Sequence, residues 1–135
     1  MFDFITIREV PKTSWSSEET FNVKPRLKTL MALVLGLILF GLGEALLVTS
    51  QIGVSPWTAL GQGLANVSEL GLGLTTFLIS VFVLFLWIPL KQKPGIGTVL
   101  NAIIISLVLH FAIPFLPIFE ENFPRLIQAI LGVFI

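Results

Sequence analysis

The run Leu30 to Thr49, LMALVLGLILFGLGEALLVT, is almost unbroken apolar sequence of about 20 residues, the length an α-helix needs to cross a hydrocarbon core of about 30 Å. Two further runs of this kind, Leu72 to Leu90 and Thr98 to Leu116, follow it. A backbone without water must satisfy its own hydrogen bonds, which leaves helices as the way to accommodate such runs. The chain therefore reads as all-α, a polytopic transmembrane helical bundle with spans at about 30–49, 72–90 and 98–116. At 55% hydrophobic and 12% charged residues, with a mean hydropathy of +0.96, it is too apolar for a soluble domain and too poor in charge for a disordered one. Formal net charge is zero, which gives no basis for nucleic-acid binding, and the absence of cysteine excludes disulfides, thiolate metal sites and cysteine nucleophiles. A single histidine and scattered carboxylates predict no metal site, and no cofactor motif is present.

Between the first two runs lies a segment of different character, Ile52 to Val67 (IGVSPWTALGQGLANV). Ser55 is a good N-cap and Pro56 suits the first helical position, which predicts a helix over 55–67. Residues 1–28 form a polar tail and 29–135 the membrane domain. In the tail, Ser16-Ser17-Glu18-Glu19 fits a capping box opening a short surface helix. Five cations (Arg8, Lys12, Lys24, Arg26, Lys28) precede the first run and Lys91 and Lys93 follow the second, while 50–71 has none. The positive-inside bias then places the tail and the Lys91–Lys93 loop in the cytoplasm. Spans one and two already supply two crossings, so helix 55–67 is expected to be re-entrant or interfacial. The last helix, 124–135, is too short to span: the ten residues from Leu126 rise only about 15 Å. It reads as either the end of a truncated product or a half-span that needs a partner. Ala32 with Gly36, and Gly41 with Ala45, have the spacing that allows close helix contact along span one. Gly-x-Gly recurs at Gly41, Gly71 and Gly95, read mainly as ordinary membrane-helix and cap glycine.

GLGEALLVTSQIGVSPWTALGQGLA, then GLGLTT, then PGIGTVLNAIIISLVLHFAIPFLP, covering about Gly41 to Pro117, resemble the YczE-like bacterial membrane proteins, grouped with YitT-type proteins. The most specific pieces are Gly53-x-Ser55-Pro56-Trp57 and Gly95-x-Gly97-Thr98-Val99-Leu100-Asn101. The resemblance implies a multi-pass protein of the bacterial cytoplasmic membrane with no settled biochemical activity. Thr58 stands where members read Pro-Trp-Asp, His110 where they often carry aspartate, and members are usually longer.

Glu44 is the sharpest polar anomaly. A charge near mid-bilayer costs at least about 2.5 kcal/mol, so Glu44 is read as a proton or ion site, or as a carboxyl that snorkels or bonds a neighbouring helix. His110 is read as a relay partner of Glu44 or a neutral helix contact, and Asn101 as ligand-binding or interhelical glue. Ser55, Pro56 and Trp57 form the candidate ligand-binding segment, with free amides offered to an anionic group and Trp57 as an aromatic wall; the alternative is an interfacial helix anchored by Trp57. No enzyme is expected. Ser55 and His110 suggest a hydrolase only superficially, because Pro56 lacks the N–H that commonly serves the oxyanion. The functional expectation is a small-solute or ion permease, or else a non-transporting assembly or accessory protein. Either would work in the bilayer as a homo-oligomer or with a partner membrane protein.

Overall fold

A computed structural model describes residues 25–92 and 94–135; the tail's proposed helix, its cations before Pro25, and Lys93 lie outside the described residues. Five α-helices follow one another with no strand among the described residues: α1 Leu27–Ser50, α2 Pro56–Ser68, α3 Leu72–Leu86, α4 Ile96–Ala112 and α5 Asn122–Phe134, with a 3-10 turn Ile113–Phe115 extending α4. The chain is all-α. Two of these elements, Leu27–Ser50 and Ile96–Phe115, are long and apolar enough to cross a membrane. A third crossing arises if α2 and α3 count together as one broken span; they meet at 112°. Glu69, left-handed at φ 58°, ends α2, and Gly71 opens α3.

The distribution of side chains is inverted relative to a soluble fold. Glu44, Thr49, Ser50, Thr58, Thr75, Thr76, Ser106 and Gln128 are buried, while Leu35, Leu78, Phe82, Phe85 and Phe111 face outward. Hydrocarbon solvates such an exterior, and small or hydroxylated residues let helices approach inside it. Three buried hydroxyls satisfy themselves on the preceding turn: Thr49 donates to the Ala45 carbonyl, Thr75 to that of Leu72 and Ser106 to that of Ala102.

Span one is central, packing on both α4 and α5. Of the small pairs expected on it, Gly41 and Ala45 are buried against α4, where a Cβ on Gly41 would lie 2.9 Å from Val108 Cβ. Ala32 and Gly36 are exposed instead, and Gly36 has nothing within 4 Å of an added Cβ. The close helix contact expected there is absent because Ala32 and Gly36 lie on the outward side of α1, while Leu33 and Leu37 turn toward α4. Gly71 and Gly95 are caps, as expected, whereas Gly43 and Gly73 are contact points.

The second apolar run does not form one helix to Leu90. Helix α3 stops at Leu86, and its 15 residues rise about 22 Å against a core of about 30 Å. Pro89 explains the stop, since it has no N–H to donate and its ring collides with the carbonyl four residues back. Trp87 to Lys91 form tight turns instead, with Lys91 left-handed at φ 53°.

The short α5 is fastened to the end of α1. Arg125 donates from Nε to the Ser50 carbonyl at 2.8 Å and from Nη2 to the Gln51 carbonyl at 2.7 Å, capping carbonyls that the end of α1 leaves free. Gln128 Nε2 donates to Thr49 Oγ1 at 2.7 Å and to the Pro117 carbonyl at 3.0 Å. Arg125→Ala is expected to lower unfolding stability by about 2 kcal/mol, with Arg125→Lys recovering only part because an ammonium lacks the guanidinium fork. Equilibrium unfolding in mixed micelles reads this difference, and an unchanged midpoint for Arg125→Ala would show that the two bonds contribute nothing.

Candidate functional site

Ser55 is the N-cap of α2, its side chain accepting from the Thr58 amide at 3.3 Å, and Pro56 occupies the first helical position. This local chemistry sets the start of α2 beside the C-terminal half of α1. Glu44, 7% exposed, reaches across to it. Its Oε2 accepts from Thr58 Oγ1 at 2.5 Å and from Ser55 Oγ at 3.1 Å. The positive end of α2 thus already faces a carboxylate supplied by α1. The expectation that these amides would receive an anionic ligand is corrected on this ground: an incoming anion would meet Glu44.

Beside this contact lies a partly enclosed cavity of about 270 Å³. Glu44, Ser55, Thr58, Thr76, Ser80 and Asn101 supply its polar lining, and Phe40, Trp57, Ile105 and Leu109 its apolar lining. Four helices therefore contribute to one site. Of the residues singled out in the sequence, Glu44, Ser55, Trp57 and Asn101 come together here. Pro56 does not line the cavity; its contribution is to start the helix.

His110 lies elsewhere. It lines a second, more open cavity of about 530 Å³ with Gly73, Phe77 and Ser106, and its ring meets Phe111 edge-on at 5.1 Å. Asn101 and His110 are nine positions apart, which at about 3.6 residues per turn sets them on opposite faces of α4. The structure separates Glu44 and His110, so a direct relay between them is set aside.

Thr58, Thr76 and Ser80 were not anticipated as site residues. Thr58 stood out only as a departure from Pro-Trp-Asp, yet it makes the shorter bond to Glu44. Thr76 and Ser80, four apart on a helix whose other polar side chain is Thr75, share a face, and that spacing is the available signal. Ser80 donates to the Thr76 carbonyl at 2.8 Å, while the buried Thr76 hydroxyl has no partner among the described residues. Nor do three His, Asp or Glu side chains gather in a metal-binding group among the described residues.

No solved structure matches the chain. An uncharacterized protein of Haemophilus influenzae is 36% identical over 127 residues, covering 94% of this chain and 57% of that protein. The chain thus spans little more than half the length of this curated relative. Residues 27–135, the whole helical bundle, match a family of unknown function, DUF6198, and the chain belongs to that family.

Proposed function

We propose that this chain forms the solute-binding part of a small-solute or ion permease, with the Glu44 cavity as its site. The observation that carries the reading is the convergence of an intramembrane carboxylate, hydroxyls, an amide and an indole from α1, α2, α3 and α4 on one partly open cavity. Polar groups in apolar helices are costly to insert, and facing a cavity offsets that cost. The bent α2–α3 pair supports the same reading, because broken helices commonly line solute sites in transporters. In this reading the protein resides in the bacterial cytoplasmic membrane with its N-terminus inside, as Arg26 and Lys28 before span one and Lys91 after α3 favour. It works as a homo-oligomer or with a partner membrane protein, catalyses no reaction, uses no cofactor and binds no nucleic acid. The likeness to YczE-like proteins belongs to the same proposal.

A second reading, an assembly or accessory protein, is favoured by one observation: Glu44 spends Oε2 on tying α2 to α1. Proteoliposomes equilibrated with a defined mixture of amines, amino acids, carboxylates and alkali cations separate the two readings, with contents read by mass spectrometry. The permease accumulates at least one component, and Glu44→Gln and Trp57→Ala each lower that uptake at least about tenfold, the effect of about 1.4 kcal/mol at the site. Uptake that survives both substitutions sinks the site. No uptake by folded protein that co-purifies with a specific membrane partner favours assembly.

A further inference from the structure

We infer that the Glu44 cavity takes a small primary ammonium ion carrying a short apolar body. The inference rests on the permease reading's site and names its ligand class. Three features of the cavity select that class. The first is charge: Glu44 is the carboxylate of the lining, so the cavity favours a cation over an anion. Its Oε2 is engaged by two hydroxyls, but no cation is among these partners. The second is size. A volume of about 270 Å³ falls just below the range of about 300–1,000 Å³ typical of drug-sized ligands, and it would hold several waters at about 30 Å³ each. A bare alkali ion leaves most of that space unfilled.

The third feature is the division of the wall. Asn101, Ser80 and Thr76 add oxygens to the lining that holds the carboxylate, and the Thr76 hydroxyl, buried beside Gly61 of α2, has no partner among the described residues. An ammonium group brings three N–H donors and needs such acceptors. Phe40, Trp57, Ile105 and Leu109 form the apolar remainder, which would cover a chain of a few carbons. Thr58 and Ser55, in the same lining, hold the carboxylate in place.

Equilibrium dialysis of labelled n-propylammonium against the protein in nanodiscs tests the inference, with empty nanodiscs correcting for partition into lipid. Saturable binding is expected, undiminished by n-propanol or potassium chloride at the same concentration. Glu44→Gln is expected to weaken it at least about tenfold and Trp57→Leu about threefold or more. Because Glu44 also fastens α2, Ser80→Ala and Asn101→Ala serve as variants that leave that fastening intact, and each should weaken binding severalfold. Competition by n-propanol would show an apolar slot, and competition by potassium an inorganic cation site. Either result overturns the inference, as does absent binding or binding unaffected by Glu44→Gln, Ser80→Ala and Asn101→Ala. Binding without flux in proteoliposomes sinks the permease reading alone. Glu44-dependent flux of another solute without propylammonium binding sinks the ammonium assignment alone.

Discussion

Gly43→Val is expected to cost on the order of 4 kcal/mol of stability and to detach α5 from α1. A Cβ at Gly43 would lie 2.6 Å from the Gly132 carbonyl oxygen, and one at Gly132 would lie 2.8 Å from that of Gly43. Both obstacles are backbone, so no rotamer relieves them and the helix axes must separate. Overpacking alone typically costs about 1–3 kcal/mol. Separation also strains the bonds from Arg125 to Ser50 and Gln51 and from Gln128 to Thr49, and bonds to a charged donor contribute about 1.5–3 kcal/mol. Gly43→Ala and Gly132→Ala should act in the same direction and less than additively together, because the helices need to part only once. Equilibrium unfolding in mixed micelles measures each variant. A cost below about 1 kcal/mol for Gly43→Val would show that the crossing tolerates separation.

Thr58→Val is expected to cost about 2–3 kcal/mol, because it keeps the side-chain shape and removes the closer of the two donors to a buried carboxylate. The partner left behind determines the size of the effect. Glu44 is 7% exposed and Thr58 2% exposed, so water in the adjoining cavity replaces only part of what the hydroxyl gave the carboxylate. The same substitution in a Glu44→Leu background should cost little, giving a coupling on the order of 2 kcal/mol in a double-mutant cycle. Equal costs in both backgrounds would mean that the bond does not hold α2 against α1.

What was legible in the sequence was local. Ser55 and Pro56 specify the start of α2 by their own backbone chemistry, and the structure begins that helix at Pro56. The apolar runs locate α1 and α4 to within a few residues, because the length requirement of a span leaves little choice. Glu44 was conspicuous for the same reason, as a carboxylate where solvation is expensive. Its partners were not legible: Thr58 lies 14 positions away, and nothing in the intervening sequence states which way α2 turns back. Arg125 and Gln128 close contacts across more than 70 positions, so the docking of α5 was invisible, and the mutual approach of Gly43 and Gly132 was hidden with it. Reading 72–90 as one helix gave too little weight to Pro89, which hydropathy counts as mild but the helix backbone cannot accommodate. His110 and Asn101 are both polar residues of α4, and only their helical phase relative to α1 and α2 decides which one shares a cavity with Glu44.

The central claim is that a polar cavity opens within these apolar helices at Glu44. Because the chain has no cysteine, single substitutions Ser80→Cys and Asn101→Cys can be compared cleanly with Leu78→Cys and Val99→Cys, on other faces of the same helices. Reaction with a small hydrophilic methanethiosulfonate reagent in liposomes reads access to water. Fast labelling at 80 and 101 with slow labelling at 78 and 99 is the predicted result. Equal rates at all four positions, or no labelling at 80 and 101, would contradict it.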